Sequence, residues 1–289
     1  MILGHTRQIA YLERARENGK LAHAYLFYGP ERVGKLTVAQ EFAKGLGAEV
    51  VLIDREHTLV SEKEVRKEIP IEDIREIKRM WTLAPNGDTW RVLIVNDSEH
   101  MSDQAANAFL KLLEEPGSRT VIFLIALSRD LLVPTLISRA VNISFSLVPD
   151  TVLREYLAEQ KIPVPEIDLL LMLSGGRPGV LLELLQDKSV LAREEQLLRD
   201  LERCLVAGHI GEAFGLSERI AGDRDAVMRM IAHLYGLLRR SLLAHFAAGG
   251  IREYIGSIKH LDRVAYMLET SNAQTRLGLD ALLLAIGKK

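Results

Sequence analysis

Cysteine is almost missing from this chain: Cys204 is the one cysteine in 289 residues. An intrachain disulfide and a cysteine-rich zinc site are thereby excluded, and a reducing compartment fits. An excess of charge of one sign is missing too. Lys and Arg number 37 against 39 Asp and Glu, a net charge of −2. The chain is therefore no basic coat for nucleic acid, and any contact with DNA is local or shared with partners. No apolar run reaches the roughly 18–20 residues that a membrane helix needs. The opening stretch "MILGHTRQIAYLERA" lacks the basic, apolar, small-residue order of an export signal. A cytoplasmic protein without a membrane partner is the expectation. Internal repeats and low-complexity tracts are absent as well. His5, His23, His57 and His100 have no metal-ligand spacing, and no Ser-His-Asp or Cys-His set stands out.

What is present is ordinary globular material, 48% apolar and 26% charged, enough for two or three domains. Residues 5–19 carry Ile9, Leu12 and Ala15 at helical spacing. "HAYLFYG" ends at Gly29 and predicts a buried strand, followed by a helix over 35–47. "EVVLID", "RVLIVND" and "TVIFLIALS" predict further buried strands at 49–54, 91–97 and 120–128, and a last strand falls near 141–146. A helix after Pro70 carries Ile74, Ile77 and Trp81. Another runs from an N-cap at Ser102 to a stop at Pro116. Strands alternating with helices imply a parallel sheet covered on both faces. After Pro149 only helical patterns remain, broken by "LSGGRPGV". Within them "YGLLRR", with Arg239 and Arg240, reads as a solvated helix face. The division expected is a sheet domain over 1–149, a small helical domain over 150–190 and a larger all-helical domain over 195–289.

The stretch "LFYGPERVGKLTVAQ" nearly spells a phosphate-binding loop, G-x-x-x-x-G-K-[ST]. Gly29, Pro30, Val33, Gly34 and Lys35 are in place. Backbone N–H groups between two glycines cradle phosphates, and the following helix offers its positive dipole end. The hydroxyl that ligates Mg²⁺ is replaced by Leu36. Thr37 comes one residue late, about 100° further round the helix. At the end of "RVLIVND", hydrolases of this class carry Asp-Glu, the Asp for Mg²⁺ and the Glu for water. Here the pair is Asn96-Asp97, and Asp97 reads equally well as an ordinary strand-end carboxylate.

Several stretches together carry a specific resemblance: "GHTRQIAYLERARENGKLAHAYLFYGPERVGK", "IPIEDIREIKRMWTLAPNGDTWRVLIVNDSEHMSDQAANAFLKLLEEPG", "VPTLISRA" and "SNAQTRLGLDALLLAI". They resemble the bacterial DNA polymerase III clamp-loader subunits, which are AAA+ proteins, the delta-prime kind first and gamma/tau second. The resemblance implies an AAA+ sheet domain, a helical lid and a helical collar. It implies a five-membered ring with gamma/tau and delta subunits that loads the sliding clamp onto primed DNA. ATP or ADP would sit at subunit interfaces, where a neighbour supplies an arginine from a Ser-Arg-Cys motif. Ser138-Arg139 matches that motif, with Ala140 replacing the cysteine, so Arg139 is implied as a finger acting in trans. A helix-capping or surface role for Arg139 is the alternative.

Departures from the family pattern bear on activity. The four-cysteine zinc module of many relatives is missing, so no zinc is expected. The second-sensor arginine position falls on Gly179, with Arg177 two residues away. Ser128, beside Leu127, is the one hydroxyl near the first-sensor position. The reading is a subunit that completes a ring and its neighbour's ATPase site, with little hydrolysis of its own. Two alternatives stay open at this point. One is a self-sufficient, gamma/tau-like ATPase. The other is a stand-alone DNA-binding module, against which the near-neutral charge speaks.

Overall fold

The computed structural model describes residues 2–55, 68–82, 89–207, 210–245, 256, 258–264, 267 and 275–286. His57 and residues 83–88 and 271–274 of the stretches quoted above lie outside the described residues, as do the side chains of Arg239 and Arg240. The chain divides into two compact units: Met1–Leu153 with Gly176–Gly179, and Arg154–Gly175 with Val180–Lys289.

The first unit is built on five parallel strands: β1 (Ala24–Tyr28), β2 (Glu49–Ile53), β3 (Arg91–Val95), β4 (Thr120–Ala126) and β5 (Val141–Ser144). Their order is β2-β3-β4-β1-β5. The apolar runs at β1, β3 and β4 are continuous because both sheet faces are covered. Alternate residues go to opposite sides. Leu26, Leu93, Val95, Ile122 and Leu124 face one core layer, completed by Ile74 and Ile77 of α3 (Ile71–Thr82) and Phe109 of α4 (Asp103–Glu114). Tyr25, Phe27, Val92, Ile94, Val121 and Phe123 face the other. There they meet Leu12 of α1 (Thr6–Glu17) and Val38 and Phe42 of α2 (Lys35–Gly45).

Local chemistry sets the element ends. Ser102 Oγ accepts the Ala105 N–H at 3.2 Å and caps α4, as the sequence predicts. Pro116 disfavours helical backbone at Glu115, and α4 stops at Glu114. The helix predicted over 35–47 ends at Gly45, because Gly47 turns left-handed at φ 63°. A short helix, α5 (Pro134–Ile137), connects β4 to β5.

The second unit is helical among the described residues. It comprises the carboxyl part of α6 (Asp150–Glu159), α7 (Val164–Ser174), all of α8 (Pro178–Gln186) beyond its first two residues, α9 (Lys188–Ala207), α10 (Ile210–Ile220), α11 (Arg224–His245) and α12 (Thr275–Ile286). Residues 258–264 are helical as well. Leu201, Leu216, Met230, Leu234, Leu261, Leu279 and Leu282 share one buried cluster. Leu279, Leu282 and Leu283 of the stretch "LDALLLAI" thus point inward within this unit. Several buried polar groups lie close to partners there. His233 Nε2 lies 2.7 Å from Glu194 Oε2, Arg229 Nε lies 2.9 Å from Glu194 Oε1, and the Ser217 hydroxyl donates to Asp280.

Candidate functional site

The order β3-β4-β1 brings the carboxyl ends of three strands side by side, and each carries a residue singled out above. Gly29 follows β1, Asn96 and Asp97 follow β3, and Leu127 and Ser128 follow β4. Hydrogen bonds tie these ends together. Gly29 N–H donates to the carbonyls of Ala126 at 3.3 Å and Leu127 at 3.1 Å, and Leu127 N–H donates to Glu99 Oε1 at 2.9 Å. Asn96 N–H donates to Ile53 O at 2.9 Å. Ser98 Oγ donates to Ile125 O at 2.9 Å.

The loop from Gly29 to Lys35 is held by its own chain at every turn. Gly29 has φ 143°, and a Cβ there would lie 2.0 Å from the Phe145 carbonyl oxygen. Gly34, at φ 108°, is the N-cap of α2. Val33 is buried in the core, and its carbonyl meets His5 Nε2 at 2.8 Å. Lys35, the first residue of α2, turns back onto the loop. Its ammonium donates to Gly29 O at 2.5 Å and Pro30 O at 2.8 Å. The side chain is buried, which pushes its pKa down, while the carboxylates of Glu99, Glu31 and Asp97 push it back up. Leu36 packs against the α2 core layer, and Thr37 is half-buried beside it. Asp97 sits at φ 53°, 3.6 Å from Arg55 Nε.

The two sensor positions are engaged otherwise. Ser128 Oγ accepts the Asp130 N–H at 3.3 Å and caps the turn at Arg129–Leu131. Gly179 lies directly on the loop: its N–H donates to Arg32 O at 2.9 Å, and Arg32 Nη2 donates to Gly179 O at 3.1 Å. A Cβ at 179 would come within 3.0 Å of that Arg32 oxygen, so the spot is tight for any larger residue. Arg177 is half-buried; burial pushes its pKa down, and Glu31 opposes that.

Glu99, Arg32, Glu31, Arg55 and His5 are the residues around this loop that motif reading passes over. Only Glu99 left a readable signal, as a carboxylate two residues after Asp97 with one turn of chain to bring it back. Among the described residues, no cluster of three or more His, Cys, Asp or Glu is arranged to hold a metal ion. No described helix is long and apolar enough to cross a membrane.

Ser138 and Arg139 are not part of this assembly of strand ends. They follow α5 and precede β5, whose first residue, Val141, pairs with Tyr25 near the start of β1. Arg139 therefore lies at the amino-terminal edge of the parallel sheet, and the loop lies at the carboxyl-terminal edge. A five-residue strand at about 3.3 Å per residue puts roughly 15 Å of sheet between the two. Arg139 Nη2 donates to Glu114 Oε1 at 2.8 Å, and Nη1 donates to Thr135 O at 3.2 Å. Ser138 Oγ donates to the same Thr135 carbonyl at 3.1 Å.

One pH effect follows from the loop. Burial pushes the His5 pKa below its ordinary 6.5, against the pull of the Val33 carbonyl. The unfolded chain then takes up the proton first. Stability from this group is full above 6.5 and declines as pH falls from 6.5 through the lower folded value. A denaturant series across that window is expected to show a shallower pH slope for His5→Gln than for the wild type. Equal slopes would show that His5 protonation is not coupled to folding.

The sequence model of the family described as "DNA polymerase III, delta subunit" matches residues 4–58 and 47–149, about half of the chain. The chain is 28% identical over 203 residues to the DNA polymerase III subunit delta' of Pseudomonas aeruginosa, covering 64% of this chain and 62% of that one. It is 25% identical over 232 residues to the DNA polymerase III subunit tau of Bacillus subtilis, covering 74% of this chain and 41% of that one. It thus spans less than two thirds of the length of either relative. The fold is similar to that of a DNA polymerase III gamma subunit-related protein from Thermotoga maritima, with a TM-score of 0.57 at 23% identity over 96% of this chain and 99% of that one. The Holliday junction branch migration motor RuvB of the same organism gives a TM-score of 0.50 at 15% identity, covering 70% and 76%. With its five-stranded parallel sheet and the match across that sheet, the chain belongs to the DNA polymerase III delta subunit family, the clamp-loader subunits of the AAA+ type.

Proposed function

We propose that this chain is a delta-prime-like subunit of the DNA polymerase III clamp loader, helping to place the sliding clamp on primed DNA. It works in a ring with gamma/tau and delta subunits, with its carboxy-terminal helices as the collar and residues 150–190 as the lid. Its own loop hydrolyses little or no ATP, and its Arg139 serves the nucleotide of the neighbouring subunit.

The observation that carries the reading is the placement of Arg139 across the sheet from the loop. A cation some 15 Å of strand away from the phosphate cradle serves no phosphate bound there. Its position supports a role toward a phosphate on another chain. Leu131 and Val133, on the segment leading to Arg139, are exposed large apolar residues and suit a surface covered by a neighbour. The inactive loop is supported by Leu36, whose side chain joins the core instead of offering a metal ligand. Asn96 in place of a charged ligand supports it too, as does Gly179 where a sensor arginine would stand. Positioning and charge neutralisation by Mg²⁺ carry most of phosphoryl transfer, and this loop lacks both ligands for it. Gly29, Gly34 and Lys35 leave a cradle that holds ADP or ATP without turning it over.

The isolated chain is expected to hydrolyse ATP at background. Steady-state turnover of about 1 s⁻¹ or faster, the low end for working enzymes, would overturn the inactive-loop reading in favour of a gamma/tau-like motor. Co-purification with the other loader subunits, followed by the same assay on the assembly, tests the ring.

A further inference from the structure

Glu114 is the last residue of α4, in the stretch "KLLEEP", and its carboxylate oxygen Oε1 accepts from Arg139 Nη2 at 2.8 Å. The guanidinium is held from a second side by Thr135 O at 3.2 Å, in the first turn of α5. Its two anchors thus stand on two different elements. The Thr135 carbonyl is itself fixed, because it also accepts from Ser138 Oγ at 3.1 Å. The carboxyl end of α4 adds the negative end of a helix dipole, which favours a cation there. Of the five N–H donors of an arginine, two are used in this way. Three remain for an anion.

An exposed carboxylate–guanidinium pair is weak. With side-chain exposures of 37% for Arg139 and 52% for Glu114, it holds an orientation without locking it. A polyphosphate carries more charge than one carboxylate and outcompetes it only for donors it can reach. The carboxylate occupies one N–H of the guanidinium and leaves donors for an anion.

We propose that Glu114 is a positioning residue for Arg139: it fixes the guanidinium between the end of α4 and the first turn of α5, with three N–H donors ready for a phosphate of another chain. The proposal rests on the reading of Arg139 as a finger acting in trans. Glu114 touches no nucleotide and acts through Arg139 alone.

Two measurements test it separately from that reading. In the full-length chain alone, NMR relaxation of the Arg139 Nε–H reports how well the side chain is held. Glu114→Ala is expected to lower its order, and Glu114→Gln, which keeps an acceptor oxygen, to restore part of it. Unchanged Arg139 relaxation in Glu114→Ala overturns the proposal, whatever Arg139 does in the ring. In the assembled loader, Glu114→Ala is expected to lower DNA-stimulated kcat about two- to fivefold, the range an exposed ion pair can contribute, with KM for ATP unchanged. In an Arg139→Ala background the same substitution is expected to do nothing further. An equal loss in both backgrounds overturns the proposal, since Glu114 would then act by another route. If Arg139→Ala alone leaves the rate unchanged, the finger reading falls, while the relaxation result still decides whether Glu114 holds the guanidinium. Should Glu114→Ala not assemble, Glu114→Gln carries the same comparison.

Discussion

Arg139→Ala, placed in an otherwise wild-type loader, is expected to silence the one ATP site that this chain serves. Arginine fingers in other phosphoryl-transfer systems contribute roughly 10³–10⁵ in rate, because a planar cation neutralises charge spreading over the transferring group. The bulk ATPase of a ring with several sites falls only by that site's share. Clamp loading, which needs the ring to act as a whole, falls further. The chain itself should stay intact: the substitution removes an exposed ion pair to Glu114 and a hydrogen bond to the Thr135 carbonyl, together worth about 1 kcal/mol. The measurement is paired, with size-exclusion chromatography for assembly and DNA-stimulated ATPase with clamp loading for function. Normal assembly with wild-type loading returns Arg139 to a surface role. Arg139→Lys refines the result, since it keeps the charge and loses the fork.

Gly29→Ala is expected to be the most destabilising single-methyl addition in the loop. The new Cβ would lie 2.0 Å from the Phe145 carbonyl oxygen and 2.9 Å from its carbon. Backbone, not a side-chain tip, stands in the way. Phe145 cannot retreat, because its N–H donates to Tyr28 O at 2.7 Å and its ring packs against His5 and Phe27. The left-handed φ of 143° adds strain of its own. A loss of about 4 kcal/mol or more belongs to such sites, which is roughly 10 °C in Tm for a chain of this size. Gly34→Ala is the control. Its φ is 108°, but its Cβ meets nothing within 4 Å, so only local strain of about 1–3 kcal/mol is expected. Calorimetry of both variants decides the point. Equal losses would show that the sheet, not the loop geometry, relaxes around Gly29.

That contrast marks how far the sequence could be read. Both glycines are visible as motif letters, and phosphate binding is the reason a motif supplies for them. Gly29 has a second reason, the close passage of the strand leaving β5, and no local pattern announces a contact with a residue over a hundred positions away. The strands were legible because short continuous apolar runs such as "TVIFLIA", rich in β-branched residues, suit a parallel sheet covered on both faces. Element ends were legible where one residue decides them, as at Ser102 and Pro116. Arg32 was not, because an arginine in a polar loop looks like solvated surface, and its bonds to Gly179 join parts of the chain far apart in sequence. Arg139 was legible as a motif residue, while the contact with Glu114 that orients it joins two elements from separate parts of the chain.

The placement of loop and arginine on opposite edges of one sheet has a bearing on symmetry. Two copies side by side about a two-fold axis would exchange arginines reciprocally and close on themselves, with no arginine left to lend to a third. A head-to-tail contact also brings the edge of one subunit to the opposite edge of the next, and such contacts close into a ring or run on as a helix. A row built this way has a direction, and one fewer junction than it has members when it stays open. A member that lends its arginine and has no working loop of its own needs no donor behind it. On the function proposed above, the end of an open row is the place such a member would take.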